Sequence, residues 1–286
     1  ENYSSHRIVS IGGKGLNISR ALKVQGVDSL AVIVLGEENA AEFRAPLAAE
    51  GVRCLEFLCP GEIRYNITIH PAQGPETRLS LDNFRLDSSI LEQIEQALLP
   101  QITPGTIIAF GSRVPRGLSV EKIKGFLARL KGRGAWLVLD SNSFSLQDLA
   151  ELGPWLIKPN EYEIEALLGR GIRTEEAVLA AAREIHAQGV ENVLISLGEQ
   201  GLAYAGEDLC CRISVPKITP LSTIAAGDSV LAGYIYGYLQ GWTKMEMLKT
   251  AAAFGTAACF TPGTLPPQRG VIARLKEEME AICYPA

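Results

Sequence analysis

Short apolar runs alternate along this chain with stretches whose apolar residues recur every three or four positions. Residues 30–35, 106–110, 135–140, 155–158 and 192–196 are rich in Val, Ile and Leu with few polar interruptions, the pattern of strands buried on both faces. Residues 42–50, 119–131 and 174–188 carry apolar stripes at helical spacing. This alternation predicts an α/β fold, a mostly parallel central sheet flanked by helices. From position 228 onward the pattern turns helical, over 228–239, 243–260 and 271–282. One stretch departs from it. Residues 64–70 and 77–84 read as two strands joined across Pro71-Ala-Gln-Gly-Pro75, a hairpin with no crossover helix. In open α/β sheets ligands gather outside the carboxyl ends of the strands, and Asp140, Lys158 and Gly198 stand at such ends.

Hydrophobic residues make up 47% of the 286, enough for a large core, yet no apolar run approaches the ~20 residues of a membrane span. A net charge of −5 argues against nucleic acid as a bulk electrostatic partner. The six cysteines show no C-x-x-C spacing, so free thiols in a reducing cytoplasm are expected rather than a zinc or redox centre.

Two loops carry candidate chemistry. Ser222-Thr-Ile-Ala-Ala-Gly-Asp-Ser229 is a run of small residues with an acid at its exit, followed by the apolar Val230-Leu-Ala-Gly-Tyr-Ile-Tyr-Gly237. The first turn of such a helix presents unpaired N–H groups and a positive dipole end, which suit phosphate. Asp228 is then a base beside an anion site, formed by the N–H groups of Ala225, Ala226 and Gly227. A plain helix-capping Asp would leave the same local sequence. Ile11-Gly-Gly-Lys-Gly-Leu-Asn17 also runs from loop into helix, and its Lys14 is a point charge suited to phosphate. It is not a Walker A loop, because Gly15 follows the Lys, and it lacks the last Gly of a dinucleotide fingerprint.

These loops, together with Leu156-Ile-Lys-Pro-Asn-Glu-Tyr-Glu163, Ile195-Ser-Leu-Gly-Glu-Gln-Gly201, Phe110-Gly-Ser-Arg-Val-Pro115, Gly61-Glu-Ile-Arg-Tyr-Asn66 and Phe260-Thr-Pro-Gly-Thr264, resemble the PfkB family of ribokinase-like sugar kinases. The motifs fall in the family's order over nearly the whole chain. The nearest branch is the 1-phosphofructokinase and tagatose-6-phosphate kinase group. The resemblance implies a core over 12–60 and 86–286, with 1–11 and 61–85 forming a β lid. It implies ATP and Mg²⁺ as cofactors and fructose 1-phosphate as the acceptor, with Asp228 as general base. Tagatose 6-phosphate, fructose 6-phosphate, an unphosphorylated sugar or nucleoside, and a non-catalytic sugar-phosphate binder stand as alternatives.

Residue by residue, the resemblance places Gly12, Gly13, Lys14, Asn17, Arg64 and Ser112 on the sugar phosphate. It places Lys158, Asn160, Ser196, Gly198 and Gly201 by the nucleotide, and Asn160 with Glu163 by Mg²⁺ through water. An Asn cap with a first-turn acid, a solvated Lys at a strand end and a strand-to-strand turn would explain the same residues structurally. A lid with an exposed face also invites a homodimer. Some positions depart from the pattern: Tyr3, Ile63 and Thr77-Arg-Leu-Ser80 in or near the lid, and Ala225 where the family has Gly. If position 225 is left-handed, Ala there costs about 1–2 kcal/mol. The resemblance further implies a first core strand and a lid strand ahead of Glu1, so a shortened sequence is expected.

Overall fold

The computed structural model describes residues 7–69, 71, 77–81, 85–111 and 113–285. The chain opens with α1 (Lys14–Val24), β1 (Leu30–Gly36), α2 (Ala40–Glu50) and β2 (Arg53–Cys59). β1 and β2 pair in parallel as a small separate sheet over a core of Ile11, Leu16, Ile33, Leu35 and Leu47. β3 (Asn66–Ile69) and β4 (Thr77–Ser80) form the predicted antiparallel hairpin. α3 (Ser88–Leu98) then leads into the main sheet.

That sheet alternates strands and helices as the apolar pattern predicts. β5 (Ile107–Phe110), α4 (Val120–Gly132), β6 (Trp136–Leu139), α5 (Leu146–Leu152), β7 (Leu156–Ile157), α6 (Glu161–Leu168), α7 (Glu175–Ala187) and β8 (Asn192–Ser196) follow one another. β5 to β8 run parallel. β9 (Leu202–Gly206) and β10 (Leu209–Ser214) extend the sheet antiparallel, and α8 (Ala226–Leu239), α9 (Lys244–Ala258), α10 (Arg269–Glu277) and β11 (Glu280–Tyr284) complete it. The strand order is β11-β10-β9-β8-β7-β6-β5.

Successive strand residues point to opposite faces, so each strand feeds two cores. Leu137, Leu139, Val193 and Ile195 pack with α3 to α7, while Val138, Leu156 and Leu194 pack with α1, α8, α9 and α10. α8 lies unusually close to α9. A Cβ at Gly233 would stand 2.8 Å from the Ala251 Cα, and one at Gly237 would stand 3.0 Å from the Met247 Cα. Glycine is needed there for contact between helices.

The C-terminal end corrects the sequence reading. The helix predicted over 271–282 stops at Glu277, and Glu280–Tyr284 pairs antiparallel with β10 instead. The otherwise unpaired edge of β10 supplies a hydrogen-bonding template that outweighs local helical preference. The hairpin exposes Tyr65, Ile67, Ile69, Leu79 and Leu81. Ile67 sits directly opposite Leu79, and these side chains share one face of the two-stranded sheet.

Candidate active site

Two helix N-termini and two strand ends converge at the carboxyl edge of the parallel strands. α1 brings Lys14 and Asn17, three residues apart and so on one helical face. Gly13, with φ 137°, makes the turn into that helix. α8 brings Asp228 in its first turn, and Asp140 and Lys158 follow directly after β6 and β7. Asp140, Lys158, Asn17 and Asp228 are all buried.

The polar contacts tie these elements together. Asn17 Nδ2 donates to Asp228 Oδ2 at 2.7 Å, while Asn17 Oδ1 is left without a protein partner. Lys14 Nζ donates to Asp140 Oδ2 and to the Asp140 main-chain oxygen, both at 2.9 Å. Lys158 Nζ lies 3.4 Å from Asp140 Oδ1, and a Cβ at Gly227 would be 3.1 Å from the same nitrogen. Lys158 therefore reaches from the strand end to the α8 N-terminus. It is not the solvated strand-end residue that its place before Pro159 also allowed, because only 5% of it is exposed.

Burial pushes the Asp228 carboxyl above its ordinary range; the Asn17 hydrogen bond opposes this, Asp140 adds to it, and Lys14 and Lys158 oppose it. A carboxylate held this way is a better proton acceptor than an exposed one, provided the pH keeps it ionised.

The loop ahead of α8 resolves the question raised by Ala225. Its φ of 61° and ψ of 4° are left-handed, the sole such non-glycine among the described residues. The Ala thus carries the strain of about 1–2 kcal/mol that Gly would avoid. No side chain caps the helix. Ala226 N points to Thr223 O at 3.5 Å, the long limit of a hydrogen bond, so its N–H is held weakly.

A second network braces the first glycine loop. Arg20 donates to Ile11 O at 3.2 Å, to Thr264 O at 2.7 Å and to Glu50 Oε1 at 2.7 Å. Gly12 and Gly111 fit close neighbours, since a Cβ on Gly12 would lie 3.4 Å from Thr264 and one on Gly111 would lie 2.7 Å from the Lys14 Cβ.

On the far side, Asn160 and Glu163 form a reciprocal capping box at the start of α6. Glu163 N donates to Asn160 Oδ1, and Asn160 N donates to Glu163 Oε2, each at 2.9 Å. Ser196 bridges to Asn160 across the strand ends. Gly198 and Gly201 stand in the turn between β8 and β9, and a Cβ on Gly201 would lie 2.0 Å from Ile213 O, which excludes any side chain. The helix-cap and turn explanations are therefore realised at these positions, and neither removes Glu163 Oε1 or the turn's open face from use.

Arg64 is exposed and makes no hydrogen bond or ion pair among the described residues, so it is not brought into the Lys14 cluster here. Ser112, Tyr3 and positions 70, 72–75 and 82–84 of the predicted hairpin lie outside the described residues. The sequence places Asp140 at a strand end where ligands gather but gives it no role; the structure adds its contacts with Lys14 and Lys158.

Residues 3–269 match the pfkB family of carbohydrate kinases. A 1-phosphofructokinase of Haemophilus influenzae is 32% identical over 247 residues, which is 86% of this chain and 79% of that protein. The ATP-dependent 6-phosphofructokinase isozyme 2 of Escherichia coli is 28% identical over 88% of this chain and 82% of that protein. The crystal structure of phosphofructokinase-2 from Escherichia coli in complex with substrates and products superposes with a TM-score of 0.86 at 26% identity, over 93% of this chain and 87% of that one. The chain belongs to the pfkB family of carbohydrate kinases. It is an ATP-dependent sugar kinase that works with Mg²⁺.

Proposed function

We propose that this kinase transfers the γ-phosphoryl group of ATP to a hydroxyl of fructose 1-phosphate, giving fructose 1,6-bisphosphate. The observation that carries the reading is the buried Asp228–Asn17 pair at the α8 N-terminus, with Lys14 and Lys158 alongside. The similarity to the Haemophilus 1-phosphofructokinase favours this acceptor.

In this reading Asp228 takes the proton from the attacking hydroxyl, and Asn17 fixes its carboxylate while offering Oδ1 to a sugar hydroxyl. The N–H groups of Ala225, Ala226 and Gly227, with the helix dipole, receive the negative charge of the migrating group. Lys158 adds a cation against Gly227. Lys14 and Arg64 bind the phosphate already on the sugar, beside Gly12, Gly13 and Ser112. Ser196, Gly198 and Gly201 lie beneath the nucleotide.

The residues present fit Mg²⁺. Hard oxygens of Asn160 and Glu163 stand at the nucleotide side, and no cluster of three or more His, Cys or acidic ligands exists among the described residues. Such an arrangement suits an ion held mainly by nucleotide phosphates and reached by the protein through water. Asn160 and Glu163 would hold the ion through water, and it would supply positive charge to offset that of the nucleotide phosphates. The hairpin of β3 and β4 acts as the lid, excluding water over the sugar, and its exposed apolar face pairs with a second copy.

Fructose 6-phosphate is the second reading. It is favoured by the Escherichia coli isozyme and by the departures at Ile63 and Thr77-Arg-Leu-Ser80, which fall in the lid rather than around Asp228. Turnover with Mg²⁺-ATP is measured on fructose 1-phosphate, fructose 6-phosphate, tagatose 6-phosphate and ribose. Preference for fructose 1-phosphate supports the first reading, and preference for another acceptor replaces it.

A further inference from the structure

One carboxylate serves both phosphate-side lysines. Asp140 Oδ2 and main-chain oxygen hold Lys14, and Oδ1 faces Lys158. One lysine comes from α1 and the other from the end of β7. Asp140 is itself fixed. Its N–H donates to Phe110 O at 3.0 Å, and the neighbouring Lys158 N–H donates to Leu139 O at 3.3 Å, so both residues are registered by the strand ends. The Lys14 stem lies over Gly111, where a Cβ would collide with it at 2.7 Å. Nothing about this contact is a chance surface pair.

An ammonium has three N–H donors. Lys14 spends two on Asp140, and Lys158 directs no more than one there, so both keep donors free. The four charged groups also balance, since Lys14 and Lys158 face Asp140 and Asp228. Without Asp140 the site would hold two cations against one anion, and each lysine would lose its anchor. Ground-state anions would bind better, while the reacting groups would be aimed worse.

We propose that Asp140 is the positioning residue for phosphoryl transfer in this chain, holding Lys158 against the α8 N-terminus and Lys14 toward the phosphate of the acceptor. It aims Lys158 at the migrating group and Lys14 at the phosphate of the acceptor, and restrains the positive charge that would otherwise trap phosphate ligands. The inference rests on the kinase reading above.

The test is Asp140→Asn, with wild-type turnover measured first. Wild-type protein without turnover on any of the four acceptors sinks the phosphosugar reading on which this inference rests. Given wild-type turnover, kcat of Asp140→Asn is expected to fall by about 10²-fold, the cost of an ångström-scale misplacement of reacting groups. Its Kd for metal-free ADP and for pyrophosphate, by calorimetry, is expected to stay level or tighten. Adding Lys14→Met to Asp140→Asn should cost less than it does in the wild type, because the two act as one unit. Unchanged kcat, strictly additive losses or weakened anion binding each overturn the proposal. So does a raised Mg²⁺ requirement with recovery in Mn²⁺, which would make Asp140 a metal ligand instead. If circular dichroism shows that Asp140→Asn does not fold, Asp140→Ser carries the same measurements with a smaller polar group.

Discussion

The edge of the main sheet and the hairpin lid break the usual burial rule in opposite directions. At the sheet edge, Asp140, Lys158 and Asp228 are charged and buried; in the hairpin, Ile67, Ile69 and Leu79 are apolar and exposed. Charged groups are rarely buried unless paired, and exposed apolar patches mark surfaces with a partner. Here the buried charges are paired through Asn17 and Asp140, across elements packed from both sides. Among the described residues the hairpin sheet has two strands. On the proposed reading, the difference teaches that the transfer chemistry is built into the packed core, whereas acceptor choice and assembly are left to a thin, solvent-facing hairpin. The departures from the family pattern around Ile63 and Thr77-Arg-Leu-Ser80 sit on that side.

The sharpest way to break the comparison is at its buried pole. Asp228→Asn should lower kcat by about 10²–10⁴-fold in an assay of ADP release. It should also raise Tm, by about 2–4 °C for each kcal/mol recovered. The sign follows from the raised pKa of Asp228. A carboxyl whose folded pKa lies above its unfolded value adds stability while protonated, and that contribution is lost as pH rises through the folded pKa. At neutral pH the ionised form is a burden, which Asn removes. A variant that lost both activity and stability would make Asp228 structural.

On the lid side, Arg64→Ala should raise KM for the sugar phosphate by about 10–100-fold, the worth of one charge-assisted hydrogen bond. KM for ATP should hold. An equal effect on both would remove the assignment of sugar to the lid.

The pH profile probes the buried pole again. The acid limb of kcat/KM should lie above the ordinary Asp value of about 3.9, because burial raises the Asp228 pKa and activity falls as pH drops through it. A limb at the ordinary value would mean that the group meets water freely.

Ile67→Lys tests the exposed pole. It places a charge at the centre of the apolar face, and light scattering should show a dimer converted to monomer with the fold intact. A monomeric wild type would leave that face to closure alone. The smallest effect is expected at Ala225→Gly, which should add about 1 kcal/mol of stability by relieving the left-handed backbone, read from urea unfolding.

The sequence made some of this legible for local reasons. The Ala225-Ala-Gly-Asp228 and Gly12-Gly-Lys-Gly15 loops are contiguous runs whose small residues announce close backbone approach, and the apolar strands are contiguous too. Lys14–Asp140 spans 126 positions and Asn17–Asp228 spans 211, so no local pattern could pair them. β11 escaped for the same reason: residues 280–284 become a strand only because β10 lies beside them. At Ala225 the sequence exposed the cost of a left-handed residue, but only the backbone angle shows that the cost is incurred.

The span between Asn17 and Asp228 has a consequence for synthesis. α1 is made early and packs against α8, which is made late, so the base cannot be seated until most of the chain has left the ribosome. Contacts of such sequence separation form slowly and late in folding. On the proposed reading, transfer then waits on the docking of α8 against α1. On that reading, a nascent chain that stops short of α8 lacks Asp228 and transfers nothing.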